Sequence, residues 1–247
     1  MKYNIGYSVL MSVYKNDDPE HLKIAIESVL SQTLSPTQIV LVKDGPLNKK
    51  LDEIIFYNQC KYEIIDVVES KENIGLGNAL NLGLAKCEHE LIMRMDSDDY
   101  SLPNRAELML KEFLTDESLD VVGTAVGEFM YDINKIDSYK FVPNTDSAIK
   151  ERMKTRNPMN HPTVIFKKSS ILEVKGYQEI KFNEDYFLWI RLAIENKKFK
   201  NLDYPLLYMK VSEDTFDRRY GYDYFINQKI IFEYMRMNKF GCVKNYV

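Results

Sequence analysis

The chain has 247 residues, of which 45% are hydrophobic and 28% are charged. These proportions are typical of a soluble globular protein, and the length fits one large domain. They exclude a disordered, collagen-like or disulfide-stapled protein as a description of the whole chain. The net charge of −4 lacks the basic excess that broad nucleic-acid binding requires, so we expect no nucleic-acid partner.

Cysteine usage and the N-terminal segment indicate the compartment. Cys60, Cys87 and Cys242 are far apart and form no C-x-x-C pair, which predicts a reducing environment without a zinc or disulfide framework. The apolar N-terminal stretch is interrupted at Lys15 and has no small-residue cleavage site. No run reaches the roughly 20 apolar residues of a membrane-spanning helix. We therefore expect a protein on the cytoplasmic side.

Strand and helix patterns alternate along the first half of the chain. Short apolar runs predict strands at residues 8–13, 38–42, 63–68, 91–95 and 121–126. Apolar residues at helical spacing predict helices that begin after Pro19, near Leu51, near Leu76 and at Pro103. This alternation, with near-continuous apolar strands, predicts an α/β fold whose mostly parallel sheet is covered by helices on both faces.

Polar segments follow four of the predicted strands. They are residues 12–16, 43–45, 70–75 and 96–99. Ligands of open parallel sheets bind beyond the carboxyl ends of the strands, so we expect the four segments to meet in one crevice. This crevice is the first functional site that the sequence predicts.

The acidic segment at residues 96–99 directly follows an apolar strand. Asp96 and Asp98 place two carboxylates at the predicted edge of the sheet. Hard cations such as Mg²⁺ or Mn²⁺ prefer such oxygen ligands, combined with phosphate oxygens of a substrate. A solvated loop at the start of the next helix is the alternative. The apolar strand before the segment, with Arg94 embedded in it, favours the metal site.

A glycine-containing segment precedes the predicted helix near Leu76. Asn73 and Gly75 belong to it, and glycines before a helix let backbone N–H groups approach an anion. The segment lacks the G-x-G-x-x-G and G-K-[ST] patterns, which argues against a nucleoside triphosphatase. Glycines that only turn a strand into a helix are the alternative.

An acidic pair, Glu184 and Asp185, stands at the start of a predicted helix near Asn183. Acidic residues in the first turn often only complement the helix dipole. A carboxylate at this point also suits a general base. Asp98 and Asp185 together are formally compatible with glycoside hydrolysis, whereas no pattern supports a nucleophilic Ser or Cys.

The second half of the chain differs in composition. Residues 139–175 have an excess of basic residues, which predicts a loop-rich region that faces an anionic acceptor or simply solvent. The tail from Tyr220 interleaves aromatic and basic residues, as an interfacial membrane helix does. Packing of the tail on the core, or a dimer contact, is equally compatible with this composition.

A set of short segments runs in order from about residue 7 to residue 215. They are SVLMSVYKND, AIESVLSQT, QIVLVKDGP, ENIGLGNALNLGLA, RMDSDD, NHPTVIFKKSSILEVKGY and NEDYFLWIRL. Each is weak alone, but in this order and spacing they resemble the inverting family-2 glycosyltransferases of the GT-A fold. The likeness is closest to bacterial enzymes that build O-antigen and exopolysaccharide repeat units.

The resemblance implies a role for each candidate residue. Asp98, with Asp96, would ligate a divalent cation, Mn²⁺ or Mg²⁺. Asp185 would be the catalytic base, and Glu184 would bind the acceptor. Donor contacts, to the uridine, ribose or diphosphate of a UDP-sugar, are implied for Ser12, Tyr14, Asp44, Asn73, Gly75 and Asp96.

The sequence departs from the family at one position. Many members have Arg-Asn after N-x-G-x-x-x-A, and that arginine contacts the donor. Here Leu80 and Asn81 follow Ala79. We hypothesise that Arg94 supplies the missing positive charge to the donor site.

The predicted reaction transfers a hexose, with galactose or glucose favoured, from a UDP-sugar to a lipid-diphosphate-linked sugar in surface polysaccharide assembly. His161 and Trp189 are predicted on the acceptor side, with packing as the favoured alternative for Trp189. A non-catalytic nucleotide-sugar-binding or scaffold subunit is the main alternative. A sugar-nucleotide pyrophosphorylase is opposed by the lack of its N-terminal glycine-rich loop.

No linker is evident, so we predict one domain with three parts. Residues 1–127 form the nucleotide-sugar-binding half, residues 128–215 the acceptor-binding half and residues 216–247 the tail. A lipid-linked acceptor places the protein at the inner face of the cytoplasmic membrane, with the tail as a peripheral contact. The sequence leaves a homodimer open.

Overall fold

The structure, a computed structural model, describes residues 5–180, 182–212 and 222–241. Within these ranges nine strands join in one mixed sheet, in the order β3-β2-β1-β4-β8-β6-β9-β5, and β7 pairs with β6. The strands are β1 (Tyr7–Val13), β2 (Gln38–Lys43), β3 (Ile65–Glu69), β4 (Leu91–Asp96), β5 (Tyr100–Ser101), β6 (Val121–Phe129), β7 (Ser138–Lys140), β8 (Ile165–Lys167) and β9 (Phe199–Lys210).

Eight helices of the described ranges cover this sheet. They are α1 (Pro19–Leu30), α2 (Lys49–Lys61), α3 (Leu76–Lys86), α4 (Arg105–Thr115), α5 (Asp146–Met153), α6 (Lys168–Glu173), α7 (Glu184–Ile194) and α8 (Tyr222–Met237). A short 3₁₀ turn spans His161–Thr163. None of these helices has the length and apolar character needed to cross a bilayer.

The sheet separates two apolar cores, because alternate residues of its strands face opposite sides. In β1, Val9 and Met11 join the core that includes residues of α1, α2 and α4. Leu10 joins the other core, with residues of α3, α5, α6, α7 and α8. The central strands are therefore buried on both faces, which explains their near-continuous apolar sequence. The predicted helix-covered α/β sheet is confirmed.

The packing of α3 on the sheet depends on a glycine. A side chain at Gly83 would meet Leu10 Cδ1 at 2.4 Å and Val42 Cγ2 at 2.5 Å. The helix backbone therefore lies closer to β1 and β2 than a residue with a Cβ allows. This close approach sets the position of α3 on the sheet, and therefore the position of its N-terminus relative to the ends of the strands.

The second half of the chain is more regular than its sequence predicts. Residues 139–175, which the sequence predicts to be loop-rich, include α5, β8 and α6, and irregular stretches at 141–145 and 154–160 lie beside these elements. Strand β8 runs antiparallel between β4 and β6, and thus joins the second half to the parallel part of the sheet. The division into a donor half, an acceptor half and a tail stays a prediction.

The described part of the tail packs on the core. In α8, Ile231 and Met235 are fully buried, and the Tyr234 ring meets Phe187 of α7 edge-on at 4.9 Å. Tyr220, Cys242 and Tyr246 lie outside the described residues. The remaining cysteines, Cys60 and Cys87, are free thiols.

Candidate active site at the carboxyl ends of the strands

The carboxyl ends of four strands lie at the same edge of the sheet. β1 pairs in parallel with both β2 and β4, and Ser12 is in register with Val42 and with Asp96. β3 continues the parallel arrangement beside β2. The polar segments that follow these strands therefore meet, as the sequence predicts.

An acidic cluster occupies this edge after β4. Carboxylate oxygens of Asp96, Asp98 and Asp99 lie within 4.8 Å of one another. Asp96 and Asp98 are partly exposed, whereas Asp99 is buried and accepts a hydrogen bond from the Lys210 backbone N–H at 2.9 Å. Among the described residues, the second oxygen of Asp99, Oδ2, has no hydrogen-bond partner.

The electrostatics of the cluster favour a bound cation. Burial, reinforced by Asp96 and Asp17, raises the pKa of Asp98 to about 7. Burial together with Asp96 and Asp98 raises the pKa of Asp99 well above its usual range. Crowded carboxylates repel one another, and a divalent cation with oxygen ligands relieves that repulsion. The oxygen-only donor set therefore fits Mg²⁺ or Mn²⁺.

A further carboxylate, Asp17, belongs to this edge and was missed by the sequence analysis. Its Oδ2 accepts hydrogen bonds from the Tyr14 backbone N–H at 3.0 Å and from Ser97 Oγ at 2.7 Å. Burial raises the pKa of Asp17 to about 6, and Asp96 contributes to that rise. Asp17 thus ties the end of β1 to the acidic cluster. Its position just before the start of α1 was the only signal in the sequence.

Asp44, after β2, joins the glycine-containing segment after β3. Asp44 Oδ1 accepts a hydrogen bond from the Ile74 N–H at 2.7 Å, and Oδ2 accepts one from Asn73 Nδ2 at 3.0 Å. Gly45 makes this contact possible: its φ is +84°, and a side chain there would meet the Asn73 nitrogen at 2.6 Å. Three predicted donor-binding residues, Asp44, Asn73 and Gly75, therefore lie in two neighbouring loops that are joined by hydrogen bonds of Asp44.

Arg94 is a buried cation at the site. Its guanidinium is almost fully buried and forms an ion pair with Asp96. It also lowers the pKa values of Asp98 and Asp185, against the stronger effect of burial. The acidic cluster and the start of α7 thus share one buried cation as an electrostatic neighbour. With only 1% of Arg94 exposed, its direct contact with a donor stays a prediction.

The predicted acidic pair forms the first turn of α7. Burial raises the pKa of Asp185, and the hydrogen bond from Asn157 Nδ2 to Asp185 Oδ2, 2.6 Å long, opposes that rise. Burial also raises the pKa of Glu184. A side chain at Gly77 would meet Glu184 Cγ at 3.4 Å. The N-termini of α3 and α7 therefore lie side by side at the site.

The loop before α7 is held against α3 by an amide. Asn81 Oδ1 accepts a hydrogen bond from the Tyr177 N–H at 2.8 Å, and Asn81 Nδ2 donates to the Tyr177 carbonyl at 2.8 Å. Leu80, at the position where related sequences have the donor-contacting arginine, is fully buried in the core. The Leu80-Asn81 pair therefore has packing and anchoring roles here.

His161 lies beneath the site. Its Nε2 is 2.8 Å from the Tyr177 hydroxyl, and its ring meets Trp189 edge-on at 5.9 Å. Burial and the positive charge of Arg94 hold the pKa of His161 well below its usual range, so the imidazole is neutral. Trp189 is fully buried, which favours the packing alternative. Acceptor contacts of both side chains stay predictions.

Sequence comparison with known proteins shows the family to which this chain belongs. The sequence profile of glycosyl transferase family 2 matches residues 8–181. The chain belongs to this family. Among related glycosyltransferases, it is 34% identical over 233 residues to the UDP-Gal:alpha-D-GlcNAc-diphosphoundecaprenol beta-1,3-galactosyltransferase of Escherichia coli, covering 94% of this chain and 84% of that protein. It is 34% identical to the amylovoran biosynthesis glycosyltransferase AmsE of Erwinia amylovora, covering 88% of this chain and 81% of AmsE.

Solved structures of glycosyltransferases share the fold. S. aureus TarS 1–349 in complex with UDP-GlcNAc superimposes with a TM-score of 0.70 at 18% identity, over 92% of this chain and 65% of TarS 1–349. The mannosyltransferase PcManGT of Pyrobaculum calidifontis, in complex with GDP-Man and Mn²⁺, superimposes with a TM-score of 0.61 at 14% identity, over 85% of this chain and 58% of PcManGT. The protein is thus a glycosyltransferase with the GT-A fold.

The structure brings most predicted site residues to one edge of the sheet. Asp96 and Asp98 form the acidic cluster with Asp99, and the first turn of α7, which carries Glu184 and Asp185, lies beside the N-terminus of α3. The sequence analysis missed Asp17, Asn157 and Tyr177, whose positions depend on contacts between distant segments. The individual binding and catalytic roles of all these residues stay predictions.

Proposed function

We propose that this glycosyltransferase moves a hexose, galactose or glucose, from a UDP-sugar to a sugar linked to a lipid diphosphate, with inversion at the anomeric carbon. The E. coli relative named above uses UDP-Gal and a GlcNAc-diphosphoundecaprenol acceptor, as its name states. Its match extends over most of both chains. The names of AmsE and of the O-antigen glycosyltransferase WbnJ of E. coli support a role in surface polysaccharide assembly.

The observation that carries the proposal is the acidic cluster at the carboxyl edge of the sheet, which shares the buried Arg94 with Asp185. Asp98 and Asp96 would hold Mn²⁺ or Mg²⁺, and the ion pair with Arg94 fixes the Asp96 carboxylate. A bound divalent cation neutralises the charge that develops on the departing diphosphate.

Asp185 is the proposed general base. Its carboxylate takes the proton of the acceptor hydroxyl while that oxygen forms a bond to C1 of the hexose. The bond between C1 and the UDP oxygen breaks on the opposite face, which inverts the anomeric configuration. Burial keeps the pKa of Asp185 above that of an ordinary aspartate, and a higher pKa makes a stronger base.

The remaining residues bind and orient the two substrates in this proposal. Ser12, Tyr14 and Asp44 contact the uridine, since Ser12 lies at the carboxyl end of β1, Tyr14 follows that strand and Asp44 follows β2 at the ligand-binding edge. Asn73 and Gly75 line the donor pocket beside Asp44. On the acceptor side, Glu184 and His161 are the proposed contacts, and the fully buried Trp189 supports them by packing edge-on against the His161 ring.

The decisive experiment compares Asp98→Ala with Asp185→Ala. We expect both variants to lose transfer from UDP-galactose or UDP-glucose to a lipid-linked GlcNAc diphosphate, because each removes one half of the mechanism. Only Asp98→Ala should weaken Mn²⁺-dependent UDP binding, measured by calorimetry. Glu53→Gln, an exposed carboxylate on α2, serves as the control with parental activity. Equal loss of UDP binding in both aspartate variants would refute the assigned roles.

We also propose that α8 contacts the inner face of the cytoplasmic membrane, where a lipid-linked acceptor is presented. Its buried face carries Ile231 and Met235, while Phe225 is 63% exposed on the same helix. Exposed apolar residues among lysines and arginines are typical of interfacial helices.

Flotation with anionic liposomes tests this membrane contact. Phe225→Ser should reduce the bound fraction, whereas Phe56→Ser, an equally exposed aromatic on α2 at 68%, should not. Unchanged flotation of Phe225→Ser would contradict the contact. A homodimer through the same surface would appear instead as a concentration-dependent mass in sedimentation experiments.

A further inference from the structure

Asn157 directly contacts Asp185, the proposed base. The amino-acid sequence gives no indication of this contact. Its Nδ2 donates a hydrogen bond of 2.6 Å to Asp185 Oδ2, although the two residues belong to separate segments. Its Oδ1 accepts a hydrogen bond of 3.1 Å from the Met159 N–H. In a flipped amide, Nδ2 would face the Met159 N–H and Oδ1 would face the Asp185 carboxylate, and both contacts would be unfavourable. The two contacts therefore select the same orientation of the amide.

The segment that carries Asn157 is anchored to the sheet. Asn201 of β9 donates from Nδ2 to the Pro158 carbonyl at 3.3 Å, and Asn160 Nδ2 donates to the Thr124 carbonyl of β6 at 2.9 Å. The Met159 side chain is buried between these contacts. The amide of Asn157 is therefore presented from a fixed platform, which a positioning role requires.

We propose that Asn157 is a positioning residue that holds the Asp185 carboxylate by Oδ2, so that Oδ1 is the oxygen that takes the acceptor proton. This inference rests on the proposed function, in which Asp185 is the base. A hydrogen bond to Oδ2 restricts rotation of the carboxylate, and a general base must lie within hydrogen-bond reach of the proton that it takes.

A neutral donor suits this position better than a cation. The charged and titratable groups around Asp185 are Arg94 of β4, Lys140 of β7, Glu184 of α7 and Tyr177. Two of these are already cations, and a third beside the carboxylate would weaken it as a base. The amide of Asn157 orients the carboxylate and stabilises its charged form without adding charge.

The first test is the pH dependence of transfer by Asn157→Ala. Loss of the hydrogen bond removes a contact that favours the charged carboxylate, so the acidic limb of kcat/KM should move to higher pH by about one unit. We expect kcat to fall by about tenfold to a hundredfold, because misplacement of a catalytic group reduces the rate by factors of this order. The affinity for UDP should stay parental.

Three control variants separate positioning from loss of stability. Thr145→Ala removes the N-cap of nearby α5 and should lower the melting temperature without moving the acidic limb. Asn157→Ser keeps a hydroxyl donor and should restore part of the lost kcat. In an Asp185→Asn background, Asn157→Ala should cause no further loss, because its effect acts through Asp185.

The outcomes distinguish this inference from the proposed function. Parental transfer by Asp185→Asn would contradict the assignment of the base itself. Strongly reduced, residual transfer by Asp185→Asn together with a parental kcat and pH profile in Asn157→Ala would contradict only the role of Asn157. Carboxyl ¹³C NMR titration of Asp185, assigned by its loss in Asp185→Asn, gives an answer without any acceptor. An unchanged Asp185 pKa in Asn157→Ala would overturn the inference.

Discussion

Replacement of Gly83 by alanine tests the packing of α3 on the sheet, because helix propensity and packing make opposite predictions. In an exposed helix, Gly→Ala stabilises a protein by about 1 kcal/mol. At Gly83 the new methyl group would lie 2.4 Å from Leu10 Cδ1 and 2.5 Å from Val42 Cγ2. Carbon atoms in favourable contact are about 3.5–4.0 Å apart, so both contacts are too short by about 1 Å.

Packing should win this competition. Leu10 and Val42 are fully buried, so neither side chain has solvent to move into. Overpacking of a core costs about 1–3 kcal/mol, and two clashing atoms place Gly83→Ala in the upper part of that range. After the gain in helix propensity, the net loss is about 1–2 kcal/mol. In a chain of this size that loss lowers the melting temperature by about 2–8 °C.

Gly77→Ala is the matched control in the same helix. Its methyl group would meet Tyr177 Cβ and Glu184 Cγ at 3.4 Å, which is ordinary contact. Without a clash to oppose the gain in helix propensity, we expect its stability to equal that of the parent or to exceed it by up to about 1 kcal/mol. Differential scanning calorimetry of the three proteins measures both effects. A Gly83→Ala protein that melts at or above the parental temperature would refute the packing argument.

Three further predictions follow from the site and from α8. Burial raises the pKa of Asp98 to about 7, so protons compete with a cation for this carboxylate below that pH. The Mn²⁺ affinity measured by calorimetry should therefore increase about tenfold from pH 6 to pH 8. Equal affinities at the two pH values would contradict this coupling. Met235→Ala should lower the free energy of unfolding, measured in urea, by about 2–5 kcal/mol, because Met235 is fully buried. Met237 is 78% exposed, so Met237→Ala should lower it by less than about 0.5 kcal/mol. Equal values for the two variants would show that α8 does not pack as described. Tyr177→Phe leaves His161 Nε2 without the hydroxyl at 2.8 Å and should cost about 1–3 kcal/mol; a parental unfolding midpoint would contradict this.

The parallel part of the fold and the acidic cluster were predictable because their signals are local. Strands β1, β2 and β4 are apolar on both faces and are separated by segments of helical periodicity, and this pattern by itself specifies a covered parallel sheet. The carboxyl ends of such strands must lie at one edge. Asp96 and Asp98 follow β4 directly, so the position of the strand also fixed the position of the cluster.

The antiparallel half and the α7 side of the site required the tertiary structure. Nothing in the three residues of β8 indicates that they pair between β4 and β6, since that pairing joins segments distant in the chain. The same holds for the contact of Asn157 with Asp185 and for the burial of Arg94 beside Asp96. Periodicity along a sequence reports which face of an element is apolar, whereas the partner of a polar side chain depends on how whole elements pack against one another.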